Sequence, residues 1–142
     1  MTRTGGIDHV DMRVPALGAV ERFYDAFAER LGLTVKRYAR VEFGGASWDD
    51  GTPENYNAVE YYAESVSGTP RLFFGVIEEP DAQPSRSRIA FAVAEDELDA
   101  WAALLPGIGA REIERGDPSY PAVFFTDPLG TRLEVCARRS SP

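Results

Sequence analysis

The chain has 142 residues, 44% hydrophobic and 27% charged, with a formal net charge of −8. That length suits one compact domain burying roughly 70% of the surface its unfolded form exposes, and no apolar run approaches the roughly 20 residues of a membrane-spanning helix. Nucleic acid is excluded as an expected partner, because phosphate contacts need clustered Lys and Arg and no basic stripe exists. The single cysteine, Cys136, rules out an internal disulfide framework. Together with a start, MTRTGGIDHV, that lacks a signal-peptide apolar core, it points to a reducing cytoplasm.

Ile7–Val14 alternates, with Val10, Met12 and Val14 on one face and Ile7, His9, Asp11 and Arg13 on the other, which predicts a strand stopped by Pro15. From Ala16 to Leu31 the apolar residues Val20, Phe23, Phe27 and Leu31 recur at helical spacing, and Gly32 is a C-terminal stop. Leu33–Phe43 reads as a strand, and 44–57 as a polar loop containing Trp48. Ala58–Ala63 and Arg71–Ile77 are rich in strand formers and predict a hairpin, and 78–87, with Pro80 and Pro84, reads as a linker. The second half predicts a strand over Arg88–Val93 and a helix over Glu95–Leu105 with Leu98, Trp101 and Leu105 inward. A strand over Ala110–Glu114 and a hairpin of Pro121–Thr126 with Thr131–Ala137 follow. Asp127-Pro128-Leu129-Gly130 supplies the tight turn of that hairpin.

The plan is therefore written twice. Module one, about 7–77, and module two, about 88–138, each read β-α-β-β-β, with Leu31-Gly32-Leu33 answered by Ile108-Gly109-Ala110. A repeated unit that cannot close a core alone implies halves that pack around a shared space. Matching the first strands pairs His9 with Arg88. If helices cover the Val10, Met12 and Val14 face, His9, Asp11 and Arg13 point to the other side. In the last strand Leu133 and Val135 pack under a helix, leaving Arg132, Glu134 and Cys136 to face the cavity.

These segments, IDHV, the FYDAF helix, LGL, RIAFAV and above all FFTDPLGTRLEV, resemble the vicinal oxygen chelate superfamily of glyoxalases, bleomycin resistance proteins and extradiol dioxygenases, from Ile7 to Ala137. The resemblance implies an α+β fold, two βαβββ modules forming a curved, partly closed mixed sheet with helices outside, and homodimers. It also implies a divalent metal (Fe, Mn, Ni, Co or Zn) held by a first-strand His, a second-module His and a last-strand Glu. His9 and Glu134 match; Arg88 stands at the second histidine's place, and His9 is the chain's single histidine. Aligning RLFF with RLEV puts Phe73, not a carboxylate, at the position that supplies a further ligand in some members. A guanidinium facing Glu134 then reads as a charge-assisted pair filling the metal position, with no cofactor expected.

The expectation is a protein that binds a small organic molecule in the concave sheet without metal. The alternative is a metal-dependent lyase, isomerase or dioxygenase using His9 as ligand or base, Glu134 as ligand and Arg88 as oxyanion stabiliser. Asp11, Arg13, Trp48, Phe73 and Tyr120 are the candidate ligand contacts, with Tyr56, Tyr61 and Tyr62 as further pocket aromatics. Each candidate also has a plain structural role: His9 as a hydrogen-bonded imidazole, Glu134 as an ion-pair partner, Asp11 and Arg13 as a mutual pair, and the aromatics as core or dimer surface. Glu78 and Glu79 read as solvated surface.

Overall fold

Two glycines with left-handed backbones end the helical segments and start each module's second strand. In the computed structural model, which describes residues 7–42, 47–64 and 72–137, Gly32 has φ 85° and Gly109 φ 100°. Both sit in the same motif: Leu33 N–H donates to Ala28 O at 2.8 Å and Gly32 N–H to Glu29 O at 3.0 Å, while Ala110 N–H donates to Leu105 O at 3.0 Å and Gly109 N–H to Pro106 O at 3.3 Å. These bonds satisfy carbonyls a helix end leaves without partners, and only glycine takes the left-handed position without a Cβ penalty. The repeat read from LGL and IGA is thus a repeated helix stop.

The strands form two sheets, the first with β1 (His9–Val14), β2 (Val35–Val41), β3 (Trp48–Asp50), β4 (Ala58–Tyr62) and β5 (Phe73–Glu78) in the order β1-β5-β4-β2-β3. The second contains β6 (Arg88–Ala92), β7 (Arg111–Arg115), β8 (Ala122–Thr126) and β9 (Arg132–Cys136) in the order β6-β9-β8-β7. In each, the first strand pairs in parallel with the last, β1 with β5 and β6 with β9, and the remaining neighbours are antiparallel. Both sheets are mixed, and with the helices α1 (Glu21–Arg30) and α2 (Leu98–Leu104) they make a two-module α+β fold. The segment expected as loop contains β3. Gly51 permits it, because a Cβ there would stand 3.0 Å from backbone atoms of Ala39.

The chain packs as two units, one holding the chain to Leu17 with Ala28–Ala82, the other holding Gly18–Phe27 with Gln83 onward. Most of α1, assigned from sequence to the first module, counts with the second. In the first unit Met12, Val14, Val59, Tyr61, Phe74 and Val76 are buried on one face of the sheet. In the second, Phe27 on α1 packs edge-on against Phe91 at 5.2 Å, Trp101 at 5.4 Å and Phe125 at 5.7 Å. Burying such rings contributes about 1.5–3 kcal/mol each.

One polar contact runs through that apolar core. Tyr24 on α1 and Asp127 in the β8–β9 turn are both fully buried, and the Tyr24 hydroxyl donates to Asp127 Oδ2 at 2.6 Å. Asp127 Oδ1 accepts the backbone N–H groups of Leu129 at 2.8 Å and Thr131 at 3.0 Å. Asp127→Ala should cost about 3 kcal/mol, because a phenol and two amides lose their acceptor, and Tyr24→Phe about 1 kcal/mol. Denaturant unfolding of the single and double variants measures both and their coupling; an Asp127→Ala protein within about 0.5 kcal/mol of wild type would contradict this role.

Candidate functional site

Alternation on β1 places His9 and Asp11 on the exposed face, while Met12 and Val14 are buried. The sheet carries this face across three further strands. One registered row is His9–Phe73–Tyr62, and the next is Asp11–Gly75–Glu60–Arg37. Matching His9 with Arg88 therefore sets Gly75, not Phe73, at the place corresponding to Glu134: Asp11 lies opposite Gly75, and Ala90 opposite Glu134. The RLFF–RLEV alignment was displaced by two residues because sequence similarity, unlike pairing, does not fix register. Asp11 occupies the space a side chain at residue 75 would need, since a Cβ on Gly75 would collide with Asp11 Oδ1.

Along the first row the rings stack. His9 lies on Phe73 at 4.3 Å and 6°, Phe73 on Tyr62 at 4.8 Å and 27°, and the Arg37 guanidinium sits 5.1 Å from the Tyr62 ring. Carboxylates surround the imidazole: Nδ1 is 2.7 Å from Asp8 Oδ2, and Nε2 is 3.6 Å from Asp11 Oδ2. Hydrogen bonding to Asp8, aided by the charges of Asp11 and Glu60, raises His9 above its ordinary 6.5 against a smaller opposing effect of burial. Glu60 is buried, and burial raises it above its ordinary 4.5, partly offset by a hydrogen bond from the Tyr62 hydroxyl at 2.9 Å. Register joins Glu60 and Tyr62, the latter already a pocket aromatic expected from sequence, to His9 and Asp11.

The remaining first-module candidates lie elsewhere. Arg13 pairs with Glu79 at 3.4 Å rather than with Asp11, and Glu78, read as solvated surface, accepts the Leu17 N–H at 2.9 Å. Both glutamates close the end of β5 against the turn after β1. The aromatics do not converge on one pocket. Trp48 is on the short strand β3 opposite Val41, Tyr56 packs on Tyr38 at 4.7 Å, and Tyr61 is buried on the face of β4 opposite to Tyr62.

In the second unit the rows are Arg88–Arg132–Thr126–Arg111 and Ala90–Glu134–Phe124–Glu114. The expected Arg88–Glu134 pair is not made. Arg88 lies over the Phe124 ring, 4.7 Å from its centroid, and Glu134 is buried with Oε1 lacking a hydrogen-bond partner. Delocalised guanidinium stacks readily on an aromatic face, and Phe124 directly opposite Glu134 takes the side chain that charge alone would have sent to the carboxylate. Tyr120 stacks on Phe124 at 6.2 Å, and hydrogen bonding to Glu134 raises its phenol above the usual 10. Cys136 is buried and reduced, one alternation beyond Glu134.

A cleft of about 430 Å³ opens beside these rows, lined by Arg88, Arg132, Thr126, Phe124, Glu112 and Glu114, among others. It lies where β7 is irregular: its register against β8 shifts between Arg111 and Glu114, and Glu112 adopts φ 51°. Sequence reading placed Arg88 here but missed the bulge and the partnership with Arg132, for which the adjacent TRLEV motif was the available signal.

The resemblance read from sequence implies a divalent metal held by His9 and Glu134. Among the described residues no three His, Cys, Asp or Glu side chains are grouped so as to hold one. Nor is any described helix long and apolar enough to cross a membrane.

No protein-family model and no curated protein matches the chain. Solved structures do. The fosfomycin resistance protein FosX from Listeria monocytogenes is 15% identical, with 96% of this chain and 94% of that one covered at a TM-score of 0.57. The same protein, as a mutant complexed with Mn(II) and 1S,2S-dihydroxypropylphosphonic acid, gives 16% identity, 95% and 93% coverage and 0.56. A glyoxalase/bleomycin resistance protein from Albidiferax ferrireducens gives 22%, 92% and 97%, and 0.58. Together with the two-module sheets, these likenesses establish that the chain shares the fold of these fosfomycin resistance and glyoxalase/bleomycin resistance structures.

Proposed function

We propose that the chain is a small-molecule binding protein of the glyoxalase/bleomycin resistance type that works without the metal of its metal-using structural relatives. The observation that supports this reading is that Arg88, and not a second histidine, stands on β6 where His9 stands on β1, with its guanidinium over Phe124. A fixed positive charge there opposes a cation, and His9, carrying carboxylates at both ring nitrogens, is stabilised as an imidazolium. The aromatic row His9–Phe73–Tyr62 and the open cleft of the second unit are both surfaces on which an organic molecule can lie.

Elemental analysis of protein purified without affinity-resin metal, repeated after incubation with Mn²⁺, Fe²⁺, Co²⁺, Ni²⁺ and Zn²⁺ and removal of excess, tests this directly. The expected result is no stoichiometric metal. One metal per chain, lost in His9→Ala and Glu134→Ala, would overturn the proposal in favour of a metal-dependent lyase, isomerase or dioxygenase. The state of His9 is tested separately by NMR titration of its C2 proton. The midpoint should lie above 6.5 and fall in Asp8→Asn. Because the folded value is raised, this contribution to stability is fully present below pH 6.5 and is lost as pH rises through the folded midpoint. A wild-type midpoint at or below 6.5 would contradict the carboxylate cage.

A further inference from the structure

The second unit's cleft carries an arrangement of charge that the protein itself leaves unmatched. Arg88 on β6 and Arg132 on β9 are registered partners on neighbouring strands, which run about 4.8 Å apart. Like charges placed side by side repel, yet among the described residues neither arginine makes an ion pair with a carboxylate. Glu112 and Glu114 line the same cleft from β7, two strands away from β9, without pairing to either guanidinium. Each arginine is instead fixed by an uncharged group. Arg88 stacks on Phe124 at 4.7 Å, and Arg132 Nη1 donates to Arg86 O at 3.0 Å. Stacking uses the guanidinium's face and leaves its edge of N–H donors free. Thr126, opposite Arg132 in the same row, adds a hydroxyl to the cleft wall, and its Oγ1 reaches Arg111 O at 3.4 Å.

We infer that Arg88 and Arg132 form an oxyanion clamp, which takes the carboxylate or phosphate group of a small organic ligand at the arginine end of the cleft. An oxyanion between two guanidinium edges relieves their repulsion and accepts charge-assisted hydrogen bonds from both. The Phe124 edge of the cleft suits a flat, apolar ligand body, and Glu112 and Glu114 at its far side disfavour a second anionic group there. The inference rests on the small-molecule reading above and adds the ligand's charge.

Titration of the ¹⁵N-labelled full chain with inorganic phosphate, benzoate, phenyl phosphate and benzylamine tests it at constant ionic strength. Benzoate or phenyl phosphate should give saturable shifts of the Thr126 and Phe124 amides, and the tighter of the two identifies the oxyanion preferred. Arg88→Gln and Arg132→Gln should each weaken binding about tenfold, as loss of one charge-assisted hydrogen bond requires. The double variant should abolish binding, and Arg30→Gln should change nothing. No saturable shift with any of the anions, unchanged affinity in the double variant with its fold intact, or benzylamine binding as well as benzoate would each overturn the clamp. The two proposals fail differently: stoichiometric metal overturns the metal-free reading through elemental analysis, whereas a titration indifferent to charge overturns the clamp alone.

Discussion

A carboxylate with no solvent exposure is costly to bury unless its lone pairs are filled, and Asp127 meets that condition with three donors. Two come from its own turn and close the β8–β9 hairpin. The third comes from Tyr24 on α1, so the same group that sets the turn also fixes the helix against the second sheet. Around it lie Phe23, Phe27, Trp101 and Phe125, all buried. The register of β9, and with it the face on which Arg132 and Glu134 stand, follows from where that turn closes. The second unit's cleft therefore depends on a contact that takes no part in its chemistry.

The two sheets use one pairing scheme to build two different surfaces. Setting the first strand beside the last aligns His9 with Phe73 and Arg88 with Arg132. In the first unit this yields a stacked row of rings with carboxylates beside it, and Gly75 is the absence that lets Asp11 lie across β5. In the second it yields adjacent guanidinium groups beside a bulged strand. The pairing scheme is shared, and the side chains at equivalent positions differ: Asp11 answers to Ala90, Phe73 to Arg132 and Gly75 to Glu134.

One of the structurally similar proteins was solved with Mn(II). A metal site of the usual kind needs neutral imidazoles and converging carboxylates. Here hydrogen bonding to Asp8 raises the pKa of the chain's single histidine, and Arg88 holds the position on β6 that His9 holds on β1. Glu134 keeps its position and burial, but Oε1 has no partner.

Strand and helix positions, the twofold repeat and the alternation on β1 were determined by sequence, because hydrophobic period and glycine stops act locally. His9, Asp11 and Phe73 were legible as one face for the same reason, and Arg88's departure from the superfamily pattern could be read directly. Partnership was not legible. Whether Arg88 would meet Glu134 or Phe124, whether Arg13 would meet Asp11 or Glu79, and that Gly75 rather than Phe73 answers Glu134 all depend on register between strands distant in sequence. The bulge at the cleft, the small strand at Trp48 and the dispersal of the aromatics depend on it too. Period fixes which face a side chain takes; only pairing in three dimensions fixes what stands beside it.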